Sequence, residues 1–236
     1  MVQSNLIAYD VGMYNGNDSD YYLSKGFKVV AIDADPEACE FCRSRFSSQI
    51  YSGQMTILNC GISDSYGTGK FFINETWRTI STFAPEAFIP NVDAPKDWRE
   101  PIDIKLAPLS GIIQKFGDPH FIKIDVEFYD SKVLGDLLEN DIRPPLISAE
   151  AQNIVPLDLL FSLGYRKFRI VEGSKVGLDG PQFIRRIDGS QQAFEFKTGD
   201  AGPFGDDLAT PWLDRQLAEA QLRATGFGWV DIHASL

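Results

Sequence analysis

Residues 6–33 read LIAYDVGMYNGNDSDYYLSKGFKVVAID, and they contain in succession an apolar run, a turn with two glycines, a polar segment and a second apolar run. Each apolar run is typical of a buried strand. Residues 20–25 predict a helix between them, with Asp18 or Ser19 as its N-cap and Gly26 after its last turn. Two buried strands joined by a helix indicate a βαβ unit, and therefore a parallel sheet.

The alternation of strands and helices continues along the chain. We predict strands at 55–59, 70–73, 102–106, 121–126, 146–149 and 165–171, and helices at 36–47, 108–116, 131–139 and 157–163. This order predicts an α/β fold with a doubly wound, Rossmann-like sheet that is mostly parallel. We expect a single domain over residues 1–236, with its core at about 5–190.

Two segments interrupt or follow this core. Residues 74–101 are punctuated by prolines, and an insertion of this length is typical of a functional loop or lid. Residues 191–236 contain a flexible acidic loop and then a helix at 211–224, for which Thr210 is the expected N-cap and Gly226 the stop. We expect this last segment to form a C-terminal helical cap on the core.

The composition excludes several classes of protein. The chain has 22 basic and 33 acidic residues and a net charge of −11. A surface this acidic repels phosphate backbones and anionic membranes, so we expect no nucleic-acid partner and no membrane partner. The first residues lack the basic region of a signal peptide, no run approaches the roughly 20 apolar residues of a membrane span, and the few cysteines form no disulfide framework. We therefore expect a cytoplasmic protein, and the sequence leaves its oligomeric state open.

The first candidate site is the loop from Asp10 to Gly16, which follows the first strand. Its glycines allow a ligand to approach the backbone, and the N-terminus of the next helix favours a negative group such as a carboxylate. The spacing D-x-G-x-x-x-G differs from the G-x-G-x-x-G of dinucleotide enzymes, so an NAD(P)-dependent oxidoreductase is only an alternative. Asp33 ends the second strand, where a carboxylate binds ribose hydroxyls in doubly wound folds; a helix N-cap is the other interpretation.

The second candidate site is the segment FIKIDVE at residues 121–127. Because side chains alternate along a strand, Lys123, Asp125 and Glu127 are expected on one face. Three charges on a central strand are costly unless they pair or line a cleft, and an edge strand with a solvated face is the alternative. Glu150 ends the next predicted strand and is expected beside them.

These carboxylates are expected to meet. In a doubly wound sheet Asp10, Asp33, Asp125 and Glu150 all lie at the carboxyl edge, where ligands bind. Such a site suits a ligand that carries positive charge and hydroxyl groups. S-adenosylmethionine, with a sulfonium, an ammonium and a ribose, fits this description.

Together these motifs resemble those of the FkbM-type methyltransferases, a class I family that uses S-adenosylmethionine. The resemblance covers about residues 6–172, and KIDVE is its most specific motif. The family usually has glycine after the glutamate of that motif, where this chain has Phe128. The matching segments are DVG and the later glycine at 10–16, VAIDADP at 30–36, NCGISD at 59–64, KIDVE at 123–127 and ISAE at 147–150.

The resemblance implies O-methylation of a hydroxyl on a small acceptor, such as a sugar or a natural product. It also implies that Asp125 and Glu127 lie near the transferred methyl group. Glu127 is the first candidate for the base that takes the hydroxyl proton, and His233 is the second. Asp33 would hold the ribose, and Ser63 and Asp64 would lie near the adenine. The implied cofactor-binding residues are Asp10, Gly12, Asn15, Gly16, Asp33, Ala34, Ser63, Asp64 and Asp125.

Several alternatives stay open. We predict no metal site, but Asp125, Glu150 and Asn153 offer the oxygen ligands that Mg²⁺ prefers. Cys39 and Cys42 are three residues apart on a predicted helix, so burial against the sheet is a better interpretation than redox or zinc chemistry. A non-catalytic binding protein with the same fold is the other functional alternative, since fold alone does not determine function.

Overall fold

A computed structural model of the chain describes residues 6–88 and 93–236. The start of the chain and part of the predicted insertion, including Pro90, lie outside the described residues. The prediction of a single domain stays a prediction.

The described residues form twelve strands and seven α-helices. The strands are β1 (Ile7–Val11), β2 (Lys28–Asp33), β3 (Met55–Asn59), β4 (Gly61–Ile62), β5 (Gly67–Phe71), β6 (Ile102–Ala107), β7 (Pro119–Ile124), β8 (Leu146–Glu150), β9 (Lys167–Glu172), β10 (Gln182–Arg185), β11 (Gln191–Phe194) and β12 (Val230–Ser235). The helices are α1 (Asn17–Lys25), α2 (Pro36–Arg45), α3 (Ser47–Tyr51), α4 (Leu109–Phe116), α5 (Asp130–Glu139), α6 (Val155–Ser162) and α7 (Arg215–Thr225).

The main sheet has seven strands in the order β3-β2-β1-β7-β8-β12-β9. The pairs among β3, β2, β1, β7 and β8 are all parallel, and β12 pairs antiparallel with both β8 and β9. The predicted doubly wound, mainly parallel α/β sheet is confirmed. The chain reverses its order at β1, so the carboxyl ends of β1 and β7 flank the crevice where such sheets bind ligands.

Helices cover both faces of this sheet. Apolar side chains of α4, α5, α6 and α7 pack on one face, and those of α1 and α2 pack on the other. The second face is also covered by residues after β9: Tyr21 of α1 contacts the rings of Phe194, Phe196 and Phe204. The buried apolar contacts on both faces supply the main stabilisation of the fold.

The expected C-terminal cap is only partly helical. Helix α7 is present, but Asp214 rather than Thr210 is its N-cap, and the Asp214 carboxylate accepts a hydrogen bond of 2.9 Å from the amide of Leu217. After Gly226 the chain returns to the sheet as β12, a strand that we did not predict. The last residues therefore complete the core.

Helix α1 also begins differently from the prediction. Its N-cap is Gly16 (φ 78°), and neither Asp18 nor Ser19 caps it. Both side chains are instead buried within the first turn. Gly26 ends the helix with φ 97°, as predicted.

The predicted insertion, residues 74–101, lies between two strands of a second, smaller sheet. Strands β4, β5 and β6 form this three-stranded sheet, so the predicted strands at 70–73 and 102–106 belong here and not to the main sheet. Among residues 6–88 and 93–236, no helix has the length and apolar character needed to cross a bilayer.

Candidate active site

A cavity of about 580 Å³ opens at the carboxyl ends of β1, β2, β7 and β8. This volume lies within the range of small-molecule sites. Its position agrees with the ligand-binding crevice of doubly wound sheets. The lining includes Gly12, Tyr14, Asn15, Asp33, Ala34, Ile62, Phe71, Trp77, Arg78, Phe83, Lys123, Asp125, Glu127, Tyr129, Glu150, Gln152, Asp200 and Trp229.

The glycine loop at the end of β1 forms one wall. Gly12 has φ 89°, and a β-carbon there would overlap the carbonyl oxygen of Asp125, so only glycine permits the close approach of this loop to the end of β7. The amides of Gly12 and Met13 both donate to the carbonyl oxygen of Ile32, at 2.9 and 3.1 Å. The loop is therefore fixed between β2 and β7, with a backbone surface open to a ligand.

Asp33 lies at the end of β2 on the cavity wall. One carboxylate oxygen accepts from the Tyr14 amide at 2.7 Å and the other from the Asp35 amide at 2.8 Å. Burial, offset in part by these two hydrogen bonds, raises the pKa of Asp33 to about 6. Asp33 is not the N-cap of α2, because Asp35 has that role and accepts from the Glu37 amide at 2.9 Å.

Lys123 lines the cavity but is only 3% exposed. Its ammonium group donates to the carbonyl oxygen of Gly12 at 3.0 Å. It lies 3.1 Å from the Asp125 carboxylate, 3.6 Å from that of Asp18 and 3.9 Å from that of Asp10. A single buried cation thus connects the glycine loop with three carboxylates.

Asp125, Glu127 and Glu150 converge beside this lysine. Strand β7 ends at Ile124, so Asp125 and Glu127 lie in the following loop and not on the strand as predicted. Each of the three residues places one carboxylate oxygen within 4.8 Å of the others. Burial and then the Asp125 charge raise the pKa of Glu127, and burial and then the Glu127 charge raise that of Glu150.

The backbone is strained where Glu127 reaches the cavity. Glu127 and Phe128 have φ of 47° and 73°, in the left-handed region that favours glycine. Each such residue costs about 1 kcal/mol or more. Glycine would adopt the Phe128 conformation without this cost. In this backbone conformation the Glu127 carboxylate lies close to those of Asp125 and Glu150.

Part of the predicted insertion forms the opposite wall. Trp77 to Ser81 and Phe83 line the cavity, close to Asp33 and Ala34. Arg78 fastens this segment to α2: its guanidinium donates to both oxygens of the buried Asp35, at 2.5 and 2.9 Å, and lies 2.9 Å from Glu37. The paired hydrogen bonds give this wall a fixed position.

Some of the predicted cofactor-binding residues line the cavity, and others do not. Gly12, Asn15, Asp33, Ala34 and Asp125 line the cavity. Asp10 and Gly16 lie behind this surface: Asp10 is fully buried and accepts from the Ser19 hydroxyl at 2.6 Å, and Gly16 packs against Phe46.

Ser63 and Asp64 do not line the cavity. Ser63 is buried, with its amide bonded to Ala107, and Asp64 is exposed. Cys60, Gly61 and Ile62 line this part of the wall instead, because the chain turns into β4 directly after β3.

His233 does not lie at the cavity either. It is buried in the middle of β12, where Ser148 and Arg169 are its partners in register. Burial and the nearby Arg169 lower its pKa to about 3, so the imidazole is neutral. Its position, remote from the cavity lining, argues against His233 as the base. It belongs to a buried polar row across five strands, formed by Asp10, Lys123, Ser148, His233 and Arg169.

Several lining residues were not predicted. Tyr129 and Gln152 follow β7 and β8, and their positions after strands were a usable signal. Asp200 comes from the last forty residues and reaches the cavity through long-range packing, which no local pattern indicates. Asp200 is anchored to the start of α1, since it accepts a hydrogen bond of 2.9 Å from the Asn17 side chain.

Comparison with known proteins identifies the family. The chain matches the methyltransferase FkbM domain over residues 10–166, which is more than half of its length. No curated protein sequence matches the chain.

Three solved structures are similar to the chain. Methyltransferase FkbM from Methylobacillus flagellatus KT is 17% identical with a TM-score of 0.49, over 70% of this chain and 40% of that one. Precorrin-6y C5,15-methyltransferase from Geobacter metallireducens GS-15 is 10% identical with a TM-score of 0.42, over 99% of this chain and 80% of that one. An S-adenosylmethionine-dependent O-methyltransferase from Thermotoga maritima is 10% identical with a TM-score of 0.43, over 100% of this chain and 61% of that one.

The chain spans less than half of the Methylobacillus protein. By the match over residues 10–166, it belongs to the FkbM family of methyltransferases.

Proposed function

We propose that this protein binds S-adenosylmethionine and transfers its methyl group to a hydroxyl of a small, uncharged acceptor such as a sugar or a natural product. One observation carries the proposal: a single cavity brings together the glycine loop, Asp33 and the carboxylates of Asp125, Glu127 and Glu150. Family membership favours methyl transfer over the hydride transfer of an oxidoreductase.

The residues present fit this cofactor. Gly12 lets the loop pack directly against the Asp125 carbonyl, and the loop backbone forms part of the cavity wall. The two Asp33 oxygens each accept one amide hydrogen, and each retains a lone pair for a ribose hydroxyl. Ile62, Phe71 and Phe83 provide an apolar wall for an adenine ring. The carboxylates of the cavity complement the positive charges of the ligand.

When bound, the cofactor supplies a methyl group on a sulfonium, which is released as a neutral thioether once the methyl has passed to an acceptor oxygen. The residues of the chain hold the acceptor near the methyl group and remove its proton. The Glu127 carboxylate lines the cavity and forms no hydrogen bond with the described residues. It is therefore placed to accept the hydroxyl proton, with an expected contribution of about 10²–10⁴ in rate.

Two indole rings favour a sugar or similar polyol as the acceptor. Trp77 and Trp229 line the cavity and remain 47% and 48% exposed, although tryptophan is normally well buried. Such rings stack against the apolar faces of sugars and aromatic natural products, while Gln152 and Glu150 offer hydrogen bonds to hydroxyls. The net charge of −11 argues against a nucleic-acid acceptor.

The proposal is tested with cofactor labelled in the methyl group and a panel of neutral glycosides and phenols. We expect transfer of label to at least one acceptor, and a loss of about 10²-fold or more in kcat for Glu127→Gln. Glu139→Gln, an exposed change on α5, is the matched control and should retain full activity.

Two results would count against parts of this proposal. Cofactor binding without transfer to any acceptor would favour the non-catalytic alternative. Equal kcat for Glu127→Gln and wild type would remove Glu127 as the base while leaving the methyl transfer intact.

A further inference from the structure

The carboxylates of Asp125, Glu127 and Glu150 come from three positions on two neighbouring strand ends, yet one oxygen of each lies within 4.8 Å of the other two. Glu150 is only 8% exposed, and the other two are half-buried. Partly buried carboxylates at this separation repel one another unless one of them is protonated or a cation lies between them.

These carboxylates keep oxygens available on the cavity side. Glu127 forms no side-chain hydrogen bond with the described residues, and Glu150 accepts from Gln152 through one oxygen, at 2.5 Å. Asp125 pairs with Lys123 at 3.1 Å. The same lysine donates to Gly12 and lies 3.6 Å from Asp18, so its charge is shared among several partners.

A fourth carboxylate next to the cluster points to a ligand independently. Asp130 is only 2% exposed, and one of its oxygens has no hydrogen-bond partner among the described residues. Its other oxygen accepts from the Val126 amide at 3.3 Å. A buried oxygen without a partner is costly, and an ion or ion-bound water supplies the missing interaction.

Asp130 and Glu150 also line the same small cavity, of about 30 Å³, beside the main one. This volume is large enough to hold a water molecule. Asn153 lines it as well, and its side-chain oxygen accepts from the Val155 amide at 2.8 Å. The carboxylate cluster contains Glu127 in addition to the Asp125 and Glu150 of the sequence-based magnesium alternative.

We infer that Asp125, Glu127 and Glu150 bind a divalent cation of the Mg²⁺ or Mn²⁺ type, and that the buried Asp130 orients an ion-bound water. Three carboxylate oxygens are hard ligands that these ions prefer, and such ions retain water or substrate oxygens in their other positions. Each carboxylate supplies one oxygen, so the second oxygen of Glu127 stays available to the acceptor. Ion binding does not depend on the proposed function. A role for the ion in orienting an acceptor diol rests on the proposed function.

The ion site is tested by titrating metal-free protein with Mn²⁺ alone, with bound ion counted by electron paramagnetic resonance and calorimetry. We expect saturable binding of one Mn²⁺ per chain, with competition by Mg²⁺. Glu150→Gln and Glu127→Gln should each weaken it by about tenfold or more. Glu139→Gln, far from the cluster on the exposed end of α5, is the control and should bind as wild type does.

Glu127→Gln keeps the test valid if Glu150→Gln fails to fold, because Glu127 lies on a loop and its side chain supports no hydrogen bond there. Circular dichroism and an S-adenosylmethionine titration accompany every sample. Folded wild-type protein that binds the cofactor but no Mn²⁺ overturns the ion site and leaves the proposed function standing. Folded Glu127→Gln with unchanged Mn²⁺ affinity overturns the ligand assignment, and Mn²⁺ binding without cofactor binding contradicts only the proposed function.

Discussion

Lys123 donates a hydrogen bond of 3.0 Å to the carbonyl oxygen of Gly12, so the strand that leads to the acidic cluster is tied directly to the glycine loop. The lysine is nearly inaccessible to solvent, and it compensates carboxylates on both sides of this contact. One side chain therefore couples the position of the glycine loop to the position of the candidate catalytic residues.

Replacing Lys123 by methionine should destabilise the protein by about 3–5 kcal/mol, because Asp10, Asp18 and Asp125 would lose their shared buried partner. Urea denaturation measures this change. The control is Lys70→Met, which removes a surface pair with Asp103 at 2.9 Å and should cost less than about 1 kcal/mol. Equal losses in the two variants would show that the buried ammonium has no special role.

Gly12→Ala should weaken cofactor binding by about tenfold or more, since the added methyl displaces either the loop or the Asp125 carbonyl. Gly53→Ala is a matched control, because Gly53 also has a positive φ, 73°, but a β-carbon there meets nothing within 4 Å. It should lose about 1 kcal/mol of stability and bind the cofactor normally. Calorimetric titration of both variants distinguishes the effect of the contact with Asp125 on cofactor affinity from the effect of a positive φ alone.

Cofactor affinity should fall as the pH decreases through about 6, where Asp33 becomes protonated. The ionised carboxylate accepts the ribose hydroxyls better, so binding favours that form and affinity rises with pH until Asp33 is fully ionised. The charged groups that face Asp33 are Asp35 and Lys123, with the thiols of Cys39, Cys42 and Cys60 nearby.

Dissociation constants between pH 5 and 8 test this dependence on Asp33. Asp33→Asn should bind more weakly and lose the part of the pH dependence that is centred near pH 6. An unchanged pH dependence in that variant would assign the effect to another group.

Arg78→Met should weaken cofactor binding by about tenfold and lower stability by about 1–3 kcal/mol, because the buried Asp35 loses two hydrogen bonds and the cavity wall loses its attachment. Arg99→Met is the control: Arg99 contacts the same Glu37 at 2.8 Å but does not line the cavity. It should leave binding unchanged. A similar loss in both variants would mean that surface charge, and not the wall, affects the cofactor.

The features that depend on local sequence patterns could be predicted from the sequence. The first βαβ unit and the carboxylates after strand ends follow from apolar runs and from the geometry of parallel sheets, and both are present. Asp33 and Glu150 therefore appear where the predictions put them. The glycines of the loop could also be recognised in the sequence, because a positive φ and the close approach of another backbone both require glycine.

Long-range pairing explains most of the differences. Residues 230–235 pair with strands that lie far earlier in the chain, and this pairing places His233 in the buried polar row. Read locally, that histidine resembles a base; in the sheet it is a neutral core residue. Trp77 and Asp200 reach the cavity through packing of irregular segments, which no periodicity reveals.

Calorimetric titration of the folded wild-type protein with S-adenosylmethionine, in parallel with Asp33→Ala, measures directly whether the cavity binds this cofactor. We expect one saturable site per chain in the wild type and binding weakened by about tenfold or more in the variant. Absence of binding to folded wild-type protein at millimolar cofactor, or equal affinity in the two proteins, would contradict it.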